Sequence, residues 1–206
     1  MPNFTDLTGL AGLASATAAG LLLLLNTSAV LRERFTKPQL SMLLGIIFVL
    51  MLAPFAGMPL AAYVRGMTGD LSITTLVLVW SALLRCRCDT AKGHDRFVLS
   101  ILISLAAAVL YPMALGVSTY DPYRLGYGEP QFIAVLMLLA LAAWFWRRSL
   151  IAACIAFAVL AWAIGWYESS NLWDYLLDPF VSVYALAVLM NCSVKTIMQR
   201  SKSSGA

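Results

Sequence analysis

The chain alternates between long apolar runs and short polar segments, and this pattern predicts seven membrane-spanning helices. A helix needs about 20 mostly apolar residues to cross the hydrocarbon core of a bilayer, and most of the runs approach that length. The predicted spans are residues 7–31, 39–64, 71–84, 97–116, 130–146, 149–166 and 179–194. Residues 1–194 therefore form a single transmembrane helical domain, followed by a basic, Ser-rich tail at 195–206.

Several residues predict where these helices bend, begin or end. Pro54 and Pro59 each remove a backbone hydrogen bond, so the second span should bend or break near residues 53–57. Pro112 should kink the fourth span, and Asp178 followed by Pro179 is typical of a capped helix start. The last helix should end near Val194, with disorder beyond it. The third span has fourteen residues, about 21 Å of helix, and is the shortest.

Composition supports the same fold class, an all-α polytopic transmembrane bundle. Hydrophobic residues make up 61% of the chain and charged residues 12%, a balance outside the range of soluble domains. Seven spans also leave no room for a soluble domain in 206 residues. The first apolar run has no basic residue before Arg32, so it is predicted to be a membrane helix rather than a secretory signal peptide. Its Gly12, Ala16 and Gly20 recur every four residues and could admit a neighbouring helix, although an alanine-rich helix without a special partner explains them equally well.

Charge sorts by side and predicts the orientation of the chain. Twelve of the fourteen Lys and Arg residues fall in loops on one side, and only Arg65 and Arg124 fall on the other. Because basic loops resist translocation, the N-terminus is predicted outside and the C-terminus in the cytoplasm. Seven of the ten acidic residues lie on the outer side, so that face is acidic. We expect a bacterial inner-membrane protein, with the basic loops facing anionic lipid rather than nucleic acid.

Two outer loops, 118–130 and 166–179, carry the densest polar and aromatic chemistry. A carboxylate there could act as a general base, and an arginine could hold a phosphate or carboxylate group. The catalytic candidates are Asp121, Glu168 and Asp174, and the binding candidates are Tyr123, Arg124, Tyr127, Glu129, Tyr167, Trp173 and Asp178.

A structural explanation competes with each of these assignments. Asp121 and Asp178 both precede a proline and could be helix caps, while Glu129 and Asp174 could be solvated loop charges. Arg124 could pair with one of these carboxylates, and the tyrosines and tryptophans could anchor an interfacial belt.

Other motifs carry less weight. Cys86 and Cys88 lack the second cysteine pair of a zinc site, so neither a metal nor a cofactor is predicted. Cys154 and Cys192 lie within spans and should serve packing. No ionisable residue lies in the middle of a span, which disfavours ion-coupled transport.

Three functions remain open. The favoured one is a non-enzymatic subunit that binds a membrane lipid, a lipid-linked glycan or another membrane protein at its acidic, aromatic outer face. The second is a membrane-embedded transferase or hydrolase that acts on a lipid or lipid-linked sugar at the outer leaflet. The third is a facilitator, channel or flippase without ion coupling.

Overall fold

A computed structural model describes residues 4–27, 37–83, 91–117 and 119–203, and over these ranges the chain is mostly helical, as the sequence predicts. Cys86 and Cys88 lie outside the described residues, as does most of the basic loop that follows the first helix. The helices are α1 (Phe4–Thr27), α2 (Lys37–Leu52), α3 (Leu60–Thr68), α4 (Ile73–Leu83), α5 (Ala91–Ala114), α6 (Pro130–Phe145), α7 (Ser149–Ala163), α8 (Leu172–Leu176) and α9 (Pro179–Ser203), with a 3-10 helix at Pro122–Gly126.

The two prolines of the predicted second span break it into separate helices. Helix α2 ends at Leu52, and an antiparallel pair of two-residue strands, β1 (Pro54–Phe55) and β2 (Met58–Pro59), precedes α3. The two residues between the strands, Ala56 and Gly57, have φ angles of 49° and 96°. Positive φ at both positions is the requirement of the tight hairpin turn that matches strand twist. The break predicted near residues 53–57 is therefore confirmed.

Helix α4 lies at the centre of the packing. It contacts both α1 and α7, while α7 also packs against α6, α5 and α8, and α9 packs against α5. The buried side chains form two clusters. The larger is built from α4 to α9, and the smaller joins α1, α2 and α3 through Leu13, Met51 and Ala61.

Helices α6 and α7 form a short-looped pair whose ends are set by left-handed backbone positions. Arg147 has φ 58°, and the N–H of Arg148 reaches back to the carbonyl of Ala143 at 2.8 Å. Gly165 has φ 65° after α7, and the N–H of Trp166 bonds the carbonyl of Ala161 at 2.9 Å. Such bonds satisfy the last carbonyls of a helix and stop it.

Helix lengths differ from what seven full crossings would need. Over the described residues, one stretch, His94–Ala114, is both long and apolar enough to cross a membrane. The shorter apolar helical stretches are Leu7–Ala18, Ser41–Leu52, Ile73–Ala82, Pro130–Phe145, Ser149–Ala163 and Pro179–Val194. Helix α4 has 11 residues and is only about 16 Å long at the helical rise.

The last helix is longer than expected. The sequence predicts its end near Val194, but α9 continues to Ser203, and the expectation of disorder over this stretch is wrong. Residues 195–200 include Lys, Met, Gln and Arg, which all have high helix propensity and allow the helix to continue.

The glycines of α1 differ in how closely they are approached. A Cβ at Gly12 would stand 3.6 Å from the Leu76 side chain and from the Tyr167 hydroxyl, whereas a Cβ at Gly20 would meet nothing within 4 Å. The tight position is Gly9, where a Cβ would lie 2.9 Å from an Asp70 oxygen. Close approach to α1 therefore occurs at its first turns.

Candidate functional site

The loops predicted to share the outer face contact one another in the structure. Tyr123 donates its hydroxyl hydrogen to the carboxylate of Asp174, with oxygen distances of 2.9 and 3.0 Å. The side-chain amide of Asn171 donates to the Tyr123 carbonyl at 2.9 Å, and the Trp173 indole N–H donates to the Pro122 carbonyl at 3.0 Å. We call the surface built by loops 69–72, 119–129 and 166–178 the acidic end.

The carboxylate of Asp174 is held in place by hydrogen bonds from neighbouring hydroxyl groups. Besides Tyr123, the Ser169 hydroxyl donates to one of its oxygens at 2.5 Å. Ser169 also accepts from the N–H of Asn171 at 3.1 Å. Asp174, predicted as a catalytic candidate, thus joins the two loops through the Tyr123 hydroxyl and is held within its own loop by Ser169.

A glycine lets the two loops meet. A Cβ at Gly126 would lie 1.8 Å from the Asn171 side-chain oxygen and 2.8 Å from Trp173, so any other residue would force the loops apart. Asn171 is 1% exposed, and its oxygen also accepts from the Trp173 N–H at 2.9 Å. The 3-10 helix that carries Arg124 is therefore fixed in position by buried contacts.

Next to this junction lies an open groove of about 510 Å³, which we call the Arg124 groove. It is lined by Thr119, Tyr120, Asp121, Arg124, Leu125, Tyr127 and Glu129. Arg124 is exposed, and in the part of the chain that the structure describes no carboxylate lies within ion-pair distance of its guanidinium. The ion pair that the sequence leaves open for Arg124 is thus not formed among these residues.

The groove also holds an aromatic ring in a fixed orientation. Tyr127 is 59% exposed and packs edge-on against Tyr123, with ring centroids 5.8 Å apart and planes at 87°. Since Tyr123 is tied to Asp174, this contact links the groove to the buried junction.

The two carboxylates of the groove have different roles. One oxygen of Asp121 accepts from the Tyr123 N–H at 2.9 Å, so Asp121 caps the 3-10 helix, and the alternative explanation of this residue as a cap is confirmed. Glu129 precedes α6 but makes no side-chain capping bond, and it is exposed. Glu129 is one of the residues that line the groove.

The remaining predicted residues lie elsewhere on the acidic end. Arg65 pairs with Asp70 through two hydrogen bonds of 2.7 and 2.9 Å and lies 3.5 Å from the exposed carboxylate of Glu168. Tyr167 is buried and donates its hydroxyl hydrogen to the Leu71 carbonyl at 2.6 Å. Trp173 stacks obliquely on Phe132, with centroids 4.7 Å apart.

Asp178 is a buried residue that links two helices through hydrogen bonds. It is 5% exposed, and one oxygen accepts from the Val181 N–H at 2.7 Å, which makes it the N-cap predicted for α9. The other oxygen accepts from the Ser72 N–H at 2.8 Å and from the Thr75 hydroxyl at 2.5 Å. Asp178 thus joins the start of α9 to the start of α4 and lies away from the Arg124 groove lining.

Burial changes the ionisation of two tyrosines at this end. Burial of the Tyr123 ring raises the pKa of its phenol, and the hydrogen bond to Asp174 and the charge of that carboxylate raise it further. Burial likewise raises the pKa of Tyr167, with smaller contributions from nearby Asp70 and Tyr175. Both phenols therefore stay protonated at neutral pH and serve as hydrogen-bond donors.

Sequence reasoning missed Ser169, Asn171 and the Arg65–Asp70 pair. Asn171 directly before Leu-Trp-Asp-Tyr-Leu is typical of a helix N-cap, and that signal could have placed α8. Among the described residues, no three His, Cys, Asp or Glu side chains gather closely enough to hold a metal ion.

Comparison with known proteins offers no relative for this chain. No protein-family model matches it, and neither the curated proteins nor the solved structures yield a match.

Proposed function

We propose that this chain is a multi-pass inner-membrane protein, with its N-terminus outside and about seven crossings, that acts as a non-enzymatic binding subunit. Its acidic end holds the anionic group of a membrane lipid or a lipid-linked glycan in the Arg124 groove. The observation that carries the proposal is the exposed Arg124 guanidinium, which lies in a rigid aromatic groove without a carboxylate partner among the described residues.

Exposed apolar surface supports a membrane environment. Helix α6 leaves Leu138 and Leu141 more than half exposed, and Trp144, Phe145 and Trp146 at its end are 67–79% exposed. In water, monomeric proteins rarely expose contiguous apolar patches larger than a few hundred Å². Contact with lipid tails removes the free-energy cost of exposing this apolar surface to water. Helices shorter than the hydrocarbon core, such as α4, can be accommodated by local thinning of the bilayer and by snorkelling of flanking basic side chains.

The sidedness of the contacts supports the proposed topology. The segments assigned to the outer face are linked in one continuous set of contacts, in which Thr8 of α1 bonds the Trp166 carbonyl and Arg65 reaches Glu168. On the assigned cytoplasmic side, Arg148 pairs with buried Asp95 at 2.9 Å. This pair joins the α6–α7 turn to the start of α5.

Binding is favoured over catalysis because Asp174, a catalytic candidate, is engaged in holding the loops. Its two carboxylate oxygens accept hydroxyl hydrogens from Tyr123 and Ser169. A general base needs a free lone pair aimed at the proton that it removes. The arginine, in contrast, presents a planar set of N–H donors that suits a phosphate.

Native mass spectrometry of the purified full-length protein tests the binding function. We expect the wild-type protein to retain phospholipid. Arg124→Gln should lower the affinity for added phospholipid by at least about tenfold, because it removes one hydrogen bond from a charged group. Arg147→Gln is the matched control, because this exposed arginine follows the opposite end of α6. Equal loss in both variants, or none in Arg124→Gln, would contradict the proposal.

Cysteine labelling tests the topology separately. In a background in which the four native cysteines are replaced by serine or alanine, Thr119→Cys and Ser149→Cys place a single thiol at exposed polar positions, one in the loop before α6 and one just after the α6–α7 turn. A membrane-impermeant maleimide should modify position 119 in intact cells and position 149 only after lysis. The reverse pattern, or equal labelling at both, would refute the orientation.

A further inference from the structure

The charges of the Arg124 groove do not suit a ligand that is only anionic. The groove lining contains one guanidinium, that of Arg124, and two carboxylates, those of Asp121 and Glu129. A phosphate bound to the guanidinium therefore has two negative groups in the same groove, and their repulsion opposes it. A ligand that carries a positive group beside its phosphate would turn this repulsion into attraction.

The opposite charges are held on one short turn. The Tyr127 N–H bonds the Arg124 carbonyl at 3.3 Å, and the Glu129 N–H bonds the Leu125 carbonyl at 3.4 Å. Gly126 within this turn packs directly on Asn171, and hydrogen bonds from Asn171 to the Tyr123 carbonyl and from Trp173 to the Pro122 carbonyl hold the 3-10 helix to the 166–178 loop. The cationic and anionic groups are thus presented together by a preorganised backbone, which lowers the entropic cost of binding a small two-charge head group.

Resting on the proposed function, we infer that the Arg124 groove recognises a zwitterionic phospholipid head group, a phosphodiester that carries a primary ammonium group, as in phosphoethanolamine. The phosphate lies on Arg124, and the ammonium group donates hydrogen bonds to Glu129 and to the Asp121 oxygen that does not cap the 3-10 helix. The exposed ring of Tyr127 adds a cation–π contact with the ammonium group.

Carboxylate acceptors select a primary ammonium over a quaternary one. A primary ammonium has three N–H donors, whereas a quaternary ammonium has none and would depend on the aromatic ring alone. Exposed apolar residues also precede the groove-lining residues along the chain, since Leu115 and Val117, just after α5, are 85% and 78% exposed. That surface can contact acyl chains, which favours a lipid over a free soluble phosphoethanolamine.

The test compares three lipids with identical acyl chains, namely phosphatidylethanolamine, phosphatidylglycerol and phosphatidylcholine, added singly to the full-length protein and counted by native mass spectrometry. Wild-type protein should prefer phosphatidylethanolamine over each of the others by about tenfold, the value of one charged hydrogen bond. Glu129→Gln should reduce that preference to about threefold or less, while Arg147→Gln leaves it unchanged. Glu129 makes no capping bond, so its glutamine variant should keep the fold.

Each outcome separates this inference from the proposed function. Equal binding of the ethanolamine and glycerol lipids, with a loss for both in Arg124→Gln, would overturn the ammonium assignment and leave the proposed function standing. Phosphatidylcholine that bound as tightly as phosphatidylethanolamine would overturn the role of the carboxylates. Free phosphoethanolamine that displaced the lipid at equal concentration would overturn the choice of a lipid. No effect of Arg124→Gln on any lipid would overturn the proposed function itself.

Discussion

Replacing Asp178 by alanine should destabilise the protein strongly, because this change removes three hydrogen bonds at a buried junction. The carboxylate is 5% exposed and accepts from the Ser72 N–H at 2.8 Å, the Thr75 hydroxyl at 2.5 Å and the Val181 N–H at 2.7 Å. Alanine offers no acceptor. It leaves the buried Ser72 N–H without this partner and the start of α9 uncapped.

The size of the effect follows from these contacts. A hydrogen bond to a charged group contributes about 1.5–3 kcal/mol, and loss of an N-cap costs about 0.5–2 kcal/mol. These contributions overlap and are not additive, so we expect a total loss of about 3–5 kcal/mol for Asp178→Ala. For a chain of this length, this loss corresponds to a fall of roughly 6–20 °C in the unfolding temperature.

Two further variants separate the parts of this effect. Asp178→Asn keeps an oxygen that can cap Val181, but it turns an amide donor toward the Ser72 N–H, so we expect a smaller loss of about 1–3 kcal/mol. Asp121→Ala is the control, since it removes a single capping bond, to the N–H of Tyr123, at a half-buried position. Asp121→Ala should lower the free energy of unfolding by about 0.5–1.5 kcal/mol.

The assay is thermal unfolding of the purified full-length variants in one detergent, followed by circular dichroism. The expected order of unfolding temperatures is wild type, then Asp121→Ala, then Asp178→Asn, with Asp178→Ala lowest. The reasoning is refuted if Asp178→Ala unfolds at the same temperature as Asp121→Ala, or if Asp178→Asn matches the wild type. Either result would mean that the junction between α4 and α9 contributes little to stability.

Two other predictions use the same assay. Gly126→Ala should lower the free energy of unfolding by about 1–3 kcal/mol, because its Cβ would lie 1.8 Å from the Asn171 side-chain oxygen. The control Gly45→Ala, in a helix where a Cβ would meet nothing within 4 Å, should raise that free energy by about 0.5–1 kcal/mol. Equal shifts in the two variants would contradict the close approach at Gly126. The raised pKa of Tyr123 means that above pH ~10 the unfolded chain loses a proton that the folded chain keeps, so the free energy of unfolding should fall as pH rises. Tyr123→Phe should make this alkaline decline shallower between pH ~10 and ~11, and an unchanged slope would show that Tyr123 does not contribute to it.

Local signals in the sequence determined where most of the helices begin and end. Pro54 and Pro59 end one helix and delay the next because proline removes a backbone donor, and this effect needs no tertiary partner. The cap at Asp178 is equally local, since an aspartate before proline is suited to accept the first free N–H groups of the helix. The end of α9 was not determined in this way, because good helix formers can extend a helix past the apolar run.

The sequence by itself also determined the sorting of charge, with acidic and aromatic residues in two loops that the predicted topology places on the same side. Only the tertiary structure decided what each residue of those loops does. Tyr123 and Asp174 are 51 positions apart, and Asp178 lies 106 positions from Ser72, so no local pattern could pair them. Helix packing brings these partners within hydrogen-bond distance, and it commits Asp174 and Asp178 to holding the fold together while Arg124 stays available in the groove. Side-chain chemistry is encoded residue by residue, but the partner of each side chain depends on contacts between distant segments.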